Sequence, residues 1–363
     1  MGLLNNIVSS FRTDSSGSSG VVGVDIGSSS IKVIELQEKK GVITLATYGE
    51  VQLGPYVNKP VGESVSLEPK QEQEALVDVI RESAVRARDA VFAMPLSSSF
   101  VTNVTIDADP DVDIASMVRI EARKVIPAPL NEVALDWAEV ETPKKEMKAE
   151  SNGKHNVLIA AIQNTALERF KILMQFAGLA EPPTEIEAFS SIRSLYDSQE
   201  RDMAIIDIGS VSAKLYIAHN GLLMRMYRIR AGGTIATRKI SEELDIDFTA
   251  AETMKCTADK QHEQFANMKR VHNACYDRAF REFTQVIREY EKKTGITLHT
   301  VYLSGGGALF PGVAAHLKSV VDKEVELANP FSNVAYPAFM EDVMRELGPS
   351  FTVALGAALR AFE

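Results

Sequence analysis

The pattern of apolar and polar positions predicts two similar series of three strands. In the first series, residues 21–27 (VVGVDIG), 28–37 (SSSIKVIELQ) and 41–53 (GVITLATYGEVQL) are separated by glycine-containing turns. The second series begins at Met203 and repeats this order in MAIIDIGSVSAKLYIAHNGLLMRMYRIR. A strand series that occurs twice indicates an internal duplication with two related sheets.

Strands and helices alternate through the rest of the chain, which indicates the α/β class. Further strands are predicted at residues 90–93, 100–106, 134–140, 157–163 and 300–303, and residues 181–187 are expected to re-enter the main sheet. Helices are predicted at 71–88, 114–126, 164–176, 188–196, 312–320 and 350–361, and nearly throughout 241–295. Pro127 and Pro129 should stop the helix at 114–126.

The length of 363 residues exceeds what one small core organises, so two domains are expected. Residues 1–20 are predicted to be a flexible leader, because a Ser- and Gly-rich stretch at 14–20 follows a short apolar segment. Leu3, Leu4, Ile7, Val8 and Phe11 would share one helical face, so a short surface-seeking helix is the alternative.

Composition excludes several classes of function. Lys and Arg number 39 against 49 Asp and Glu, and a net charge of −10 argues against a nucleic-acid partner. Cys256 and Cys275 are expected to be reduced thiols, and the six histidines show no zinc-site spacing. No apolar run reaches the ~18 residues that a spanning helix needs, so a cytoplasmic protein is expected, with membrane contact only through partners.

One motif in the two strand series indicates phosphate binding. Asp25 and Asp207 each end an apolar strand, and a glycine, small hydroxyls and a lysine follow. The glycine lets backbone N–H groups approach an anion, while the aspartate can hold a hydrated Mg²⁺. A single copy would equally fit an ordinary hairpin with a turn aspartate, but two copies in the same context favour the functional interpretation.

Glycines cluster at two further turns. Gly305, Gly306 and Gly307 follow a short strand and precede a helix, where a flat ring or a phosphate could lie against bare backbone. A Gly232–Gly233 pair lies where the second strand series meets the helical section. The chain contains neither a GxxxxGK[ST] loop nor a Rossmann GxGxxG, so both common nucleotide loops are excluded.

These features resemble the superfamily of actin, heat-shock chaperone and sugar-kinase ATPases. More narrowly, GVDIGSSSIKVIEL (23–36), IEARKVIP (120–127), LDW (135–137) and ALGAALR (354–360) resemble the PilM family of type IV pilus assembly proteins, relatives of the division protein FtsA. The resemblance implies an actin-like (ribonuclease H-like) two-domain α/β fold with an inserted α+β subdomain. The implied parts are a first domain at 21–200 with the insertion at 88–166, a second domain at 201–348 with a helical subdomain at 240–297, and a helix at 349–363 that returns to the first domain.

The resemblance also implies a site for ATP and Mg²⁺. Asp25 and Asp207 would hold the ion through water. The residues expected around the nucleotide are Gly27, Ser28, Ser29, Ser30 and Lys32 of the first hairpin, Gly209, Ser210 and Ser212 of the second, and Gly232, Gly233, Glu252, Lys255, Gly305, Gly306 and Gly307. Glu252 and Lys255 would equally fit a solvated surface pair.

Hydrolysis is expected to be slow at most, because the candidate water-positioning acids, Glu185 and Glu187, would equally fit charges at a helix N-terminus.

The family resemblance also implies partners. These are the cytoplasmic N-terminal tail of a PilN-type inner-membrane protein and, further, the pilus motor ATPases. The tail is expected in a groove between the inserted unit and the first domain, lined by the segments 100–106 and 114–126. Two alternatives remain, an FtsA-like division protein and a small-molecule kinase; the absence of a linker and amphipathic helix after Glu363 favours PilM over FtsA.

Overall fold

A computed structural model describes residues 20–107, 113–140, 154–180, 184–197, 200, 202–258 and 260–363. Residues 1–19 of the predicted leader and most of the charged connection at 144–155 lie outside these ranges. Within the described ranges, every helix is too short or too polar to cross a bilayer.

The described residues form thirteen strands and nine α-helices. The strands are β1 (Val21–Ile26), β2 (Ser30–Lys39), β3 (Val42–Gln52), β4 (Asp89–Met94), β5 (Ser99–Asp107), β6 (Val133–Glu139), β7 (Lys154–Gln163), β8 (Thr184–Ile186), β9 (Asp202–Ile208), β10 (Ala213–His219), β11 (Leu222–Ile229), β12 (Thr300–Ser304) and β13 (Glu324–Leu327). The helices are α1 (Pro69–Glu82), α2 (Ile114–Val125), α3 (Asn164–Phe176), α4 (Glu187–Leu195), α5 (Gly233–Leu244), α6 (Phe248–Thr257), α7 (Phe265–Thr294), α8 (Val313–Val321) and α9 (Glu341–Leu359).

Two five-stranded sheets share one topology. The first has the order β3-β2-β1-β4-β8 and the second β11-β10-β9-β12-β13. In each sheet the first three strands of the order are antiparallel and the remaining neighbours are parallel. The predicted duplication is therefore present in the fold. We refer to the first sheet with α1, α3, α4 and α9 as the first domain, and to the second sheet with α5 to α8 as the second domain.

A third sheet, with the order β5-β7-β6, forms the small inserted unit. β4 pairs with β1 in the first sheet, so the unit begins after Met94 and not at the predicted Arg88. Residues of β7 alternate between two cores because successive side chains of a strand point to opposite faces. Leu158, Ala160 and Ile162 join a core that contains residues of both domains, whereas Val157, Ile159 and Ala161 pack under α2.

This arrangement places α2 on the outer face of the third sheet, away from the first domain. Its buried residues, Val118 and Ala122, belong to the outer core. The prediction that segment 114–126 lines a groove against the first domain is therefore wrong. The apolar face of an amphipathic helix predicts that the helix packs against a core, but it does not indicate which side of a sheet the helix covers.

α9 closes the first domain from a distant part of the sequence. A Cβ on Gly23 would overlap the carbonyl oxygen of Ala354, and one on Gly356 would overlap that of Ser190. These two glycines let α9 lie directly against β1 and α4. The helix begins at Glu341, before the predicted start, and runs through Pro349.

Two other helix boundaries and one strand differ from the prediction. α1 ends at Glu82 because Ala84 adopts a left-handed conformation with φ of 52°. α5 starts at Gly233, earlier than the predicted helical section. The edge strand β13 (EVEL) was not predicted, since a strand of four residues with only two apolar positions gives a weak signal.

Candidate functional site

The two hairpins of the duplicated motif have the same geometry. The Gly27 N–H donates to the Ser30 carbonyl at 3.0 Å, and the Gly209 N–H donates to the Ser212 carbonyl at 3.0 Å. Asp25 lies opposite Lys32 in the β1–β2 ladder, as Asp207 lies opposite Lys214 in the β9–β10 ladder. The sequence motif therefore repeats as a structural motif, once in each domain.

A buried ammonium joins carboxylates of both domains. Lys214 Nζ donates to Glu187 Oε2 at 2.7 Å and to Asp207 Oδ2 at 3.1 Å. Burial alone would lower the pKa of Lys214, but the negative charges of Glu187 and Asp207 outweigh it and hold that pKa well above its ordinary value. Lys214 is therefore a cation at neutral pH.

Asp25 faces the same group of charges. Burial raises the pKa of Asp25 from 3.8 to about 6, against the opposing effect of the Lys32 ammonium. Glu187 and Asp207 raise this pKa further, and Lys214 lowers it. The aspartates of the two hairpins thus lie close enough to influence one another, although they belong to different domains.

The two candidate acids lie in different surroundings. The carboxylate of Glu185 accepts hydrogen bonds from Ser190 and Arg193 and lies 3.5 Å from Arg360 Nε, in a buried network beside α9. Glu187, at the first turn of α4, contacts Lys214 instead. Of the pair, only Glu187 is placed among the charges of the hairpins.

The hairpin serines divide into two groups. Ser30 and Ser212 are buried, and their hydroxyls accept hydrogen bonds from Lys32 and Arg228. Ser28 is exposed at the tip of the first hairpin, and Ser29 and Ser210 are partly exposed.

The Gly232–Gly233 turn joins α5 to the second hairpin. The Gly233 N–H donates to the Gly209 carbonyl at 3.0 Å, and a Cβ on Gly232 would overlap the Ser210 carbonyl oxygen. Glu252 on α6 is buried and accepts from Lys255 Nζ at 2.6 Å. This pair therefore lies beside the glycine turn and is not a solvated surface pair.

The three consecutive glycines have different surroundings. Gly305 has φ of +84°, and a Cβ there would overlap Asp207 Oδ1 and the Ile208 carbonyl oxygen. A Cβ on Gly307 would overlap the Ile208 side chain, whereas one on Gly306 would have no neighbour within 4 Å. Gly305 and Gly307 thus let the turn pack against the second hairpin, while Gly306 presents bare backbone to open space.

A strap of residues 58–65, which the sequence analysis did not identify, connects the two domains near these turns. The Val65 N–H donates to the Ser28 carbonyl at 2.9 Å, holding the strap on the first hairpin. On the other side, the Thr234 hydroxyl accepts from the Ser64 N–H at 3.1 Å and donates to the Gly62 carbonyl at 3.2 Å. The Pro60–Gly62 pair marks a turn in the sequence, but nothing local indicates its distant partners.

Within the described residues, no group of three or more His, Cys, Asp or Glu side chains could hold a metal ion.

Comparisons with solved structures show the fold. A PilM–PilN type IV pilus biogenesis complex superposes with a TM-score of 0.78 at 23% identity, covering 96% of this chain and 100% of the matched chain. The ethanolamine utilization protein EutJ from Carboxydothermus hydrogenoformans gives 0.54 at 17% identity, over 98% and 95%. MreB5 of Spiroplasma citri, bound to ADP, gives 0.50 at 12% identity, over 94% and 95%. The predicted two-domain actin-like α/β fold is confirmed.

A family model describing the type IV pilus assembly protein PilM matches residues 23–362. This range covers both duplicated hairpins, the third sheet and all of α9. The chain therefore belongs to the PilM family of type IV pilus assembly proteins.

Proposed function

We propose that this chain binds ATP with Mg²⁺ in the cleft between its two hairpins, and that the bound nucleotide sets a surface for a partner protein. The observation that carries the proposal is the approach of Asp25 and Asp207 from duplicated hairpins to one set of charges, with Lys214 between carboxylates of both domains. Charged groups are seldom buried together unless paired, so such a cluster is a candidate functional site.

The surroundings fit a nucleotide. Asp25 and Asp207 would hold the hydrated ion, and the backbone at Gly27 and Gly209 would face the phosphates, next to Ser28 and Ser210. Gly306, with open space where a side chain would lie, would border the adenosine. Lys32, Gly232, Gly233, Glu252 and Lys255 complete the proposed set, together with Ser29, Ser30, Ser212, Gly305 and Gly307.

Calorimetric titration with ATP and Mg²⁺ tests the proposal. Asp25→Ala and Asp207→Ala should each weaken binding at least about tenfold, because each removes an anchor for the ion that neutralises the phosphates. Asp113→Ala is the control, since this exposed aspartate caps α2 on the outer face of the third sheet. Wild-type affinity that ignores both Mg²⁺ and the two hairpin variants would contradict the proposal.

The same geometry favours slow turnover. Both carboxylate oxygens of Glu187 are engaged, by the Leu96 N–H at 2.8 Å and by Lys214 at 2.7 Å. An acid held in this way is poorly placed to orient an attacking water, so we propose hydrolysis well below the ~10 s⁻¹ typical of enzymes. Rapid steady-state phosphate release by the purified protein would contradict this part.

For the partner, we propose the cytoplasmic N-terminal tail of a PilN-type protein, which would hold this chain at the inner face of the membrane. The support is family membership and the similarity to a PilM–PilN complex. α3 offers a surface beside the third sheet: its buried face packs in the first-domain core, while Ile172 and Phe176 are 53% and 56% exposed one turn apart. Isolated apolar side chains are common on surfaces, but a pair on one helical face suits an apolar anchor of a peptide.

A synthetic PilN-tail peptide, titrated against the full chain, tests this surface. Phe176→Ser should weaken binding at least about tenfold, because buried aromatic anchors dominate interfaces. Phe339→Ser is a matched control, since Phe339 is 85% exposed but lies just before α9, on the other face of the first sheet. Equal affinity of the two variants would place the peptide elsewhere.

A further inference from the structure

Glu187 connects three parts of the molecule. It lies at the first turn of α4 in the first domain and is 7% exposed. Its Oε1 accepts the main-chain N–H of Leu96 at 2.8 Å, and its Oε2 accepts Lys214 Nζ at 2.7 Å. Leu96 lies between β4 of the first sheet and β5 of the third, where the chain passes into the inserted unit. One carboxylate therefore joins the second hairpin to the connection that carries the third sheet.

In the first hairpin the corresponding lysine has different partners. Lys32 has the same register position as Lys214, but its ammonium donates to Ser30 Oγ at 2.7 Å and lies 3.1 Å from Glu50 Oε1. Both partners belong to the first sheet. Among the residues that the structure describes, Lys214 is paired with a residue of the other domain and Lys32 is not. The duplication thus supplies an internal control for the role of Lys214.

The buried position of this pair makes it sensitive to a new anion. Lys214 can neutralise only part of the charge on Glu187 and Asp207. It is the second residue of β10, close to the hairpin turn where phosphates are proposed. A phosphate at that hairpin would compete with Glu187 for the ammonium, because charge-assisted hydrogen bonds are strong where water is excluded.

We propose that Lys214 is a positioning residue. By pairing with Glu187 it fixes the main chain at Leu96, and it thereby makes the third-sheet unit respond when a phosphate occupies the second hairpin. The response to nucleotide rests on the proposed function, whereas the connection from Lys214 through Glu187 to Leu96 belongs to the nucleotide-free protein. The two parts can therefore be tested separately.

Amide hydrogen exchange of the full chain without nucleotide tests the connection. In Lys214→Met, the Leu96 amide should exchange about tenfold faster than in the wild type, because Glu187 loses the partner that orients it. Lys32→Met should leave this amide within about twofold, and Lys214→Arg should restore most of its protection. Lys214→Gln serves if the methionine variant does not fold, since it keeps a donor and removes the charge. Equal exchange at Leu96 in the Lys214 and Lys32 variants would overturn the inference.

A second measurement adds ATP and Mg²⁺. The exchange rate at Leu96 should change in the wild type and stay unchanged in Lys214→Gln. Wild-type protein that binds ATP in calorimetry but shows no change at Leu96 would refute the response to nucleotide. Absence of ATP binding would instead refute the proposed function, and the nucleotide-free comparison would still decide whether Lys214 acts through Glu187.

Discussion

The side chain of Asn103 donates to the main-chain carbonyl of Met224 at 2.8 Å and to that of Leu223 at 3.0 Å. Asn103 lies on β5 of the inserted unit, and Met224 is the extra residue of a bulge in β11. The bulge leaves Met224 without a register partner on β10, and its carbonyl accepts hydrogen bonds from Asn103 of the neighbouring unit and from the Arg225 guanidinium at 3.0 Å. The third sheet is thereby fastened to the second domain as well as to the first.

Replacing Asn103 should therefore lower stability. Asn103→Ala removes the donor and should lower the free energy of unfolding by about 1 kcal/mol. Asn103→Asp should cost more, because a carboxylate would face two carbonyl oxygens. Thr105→Ala is the control on the same face of β5, since its hydroxyl contacts Asn156 at an exposed position. Urea unfolding measures all three, and equal midpoints for the Asn103 and Thr105 variants would contradict the assignment.

The raised pKa of Asp25 predicts a specific dependence of stability on pH. Because its pKa is about 6 in the folded protein and 3.8 ordinarily, the folded state binds the proton more tightly. The contribution of Asp25 thus becomes more favourable as pH falls from about 6 to about 4, and it is unfavourable at pH 7. Asp25→Asn should raise the free energy of unfolding at pH 7 by about 2–3 kcal/mol and lose this advantage near pH 4.

Asp113 should show the opposite dependence of stability on pH. Its hydrogen bonds from Ser116 and the α2 backbone lower its pKa, so the stability that it contributes is present at neutral pH and lost on acidification. Asp113→Asn should accordingly reduce stability at pH 7, and this difference should shrink as the pH falls below 3.8. Urea unfolding across this pH range compares the two variants, and profiles of the same sign would disprove the assigned causes.

Gly305 and Gly306 should respond differently to the same substitution. Gly305→Ala places a Cβ against Asp207 at a positive φ, so we expect a loss of several kcal/mol in the free energy of unfolding. Gly306→Ala should stay within about 1 kcal/mol, because its Cβ would enter open space. Gly306→Val should fold and yet weaken ATP, as it fills the proposed nucleotide border. Thermal unfolding and calorimetry give both readouts; an unaffected Gly305→Ala variant would be inconsistent with the packing described.

The hydroxyl of Thr234 should hold the strap of residues 58–65 in place. Thr234→Val removes the hydroxyl that holds Ser64 and Gly62 and should speed amide exchange at Ser64 about fivefold, as expected for one lost hydrogen bond. Thr234→Ser retains the hydroxyl and should match the wild type. If the valine and serine variants exchange alike at Ser64, the strap is held by other contacts.

Substitutions of Glu185 and Glu187 should have different effects, the first on stability and the second on ATP affinity. Glu185→Ala removes one of the two carboxylates that pair with the half-buried Arg193, leaving that of Glu363, and should cost about 3 kcal/mol of stability. The ATP affinity of the folded fraction should remain within about twofold, whereas Glu187→Ala should change it through Lys214. Denaturant titration and calorimetry on both variants decide the point, and a selective loss of ATP binding in Glu185→Ala would reverse the assignment.

Sequence patterns predicted the sheets better than the helix ends. Strands β1–β3 and β9–β11 follow from alternating apolar positions bounded by glycine turns, which are local signals. The start of α9 was missed because Gly348 and Pro349 usually interrupt a helix. Here Pro349 is accommodated, and its carbonyl accepts from the Gly305 N–H at 2.7 Å, a contact from the other domain.

The site was predictable where its residues belong to a repeated motif. Asp25 and Asp207 occupy equivalent places because the hairpins that carry them are duplicates. The different surroundings of Glu185 and Glu187 were not predictable, since two residues beside a strand-to-helix turn differ only in which distant side chains they meet. The strap is a similar case, because its hydrogen bonds to Ser28 and Thr234 join segments far apart in sequence.

The packing of α9 on β1 also sets the order in which the protein can be completed during synthesis. α9 follows every element of the second domain along the chain, yet it covers one side of the first sheet. While the ribosome adds residues 202–340, that side of β1 and β4 has no helix to cover it. At typical elongation rates this interval lasts roughly ten seconds. The nascent first domain thus passes through a long-lived, half-covered state that a chaperone could bind, and its folding must wait for its distant helix.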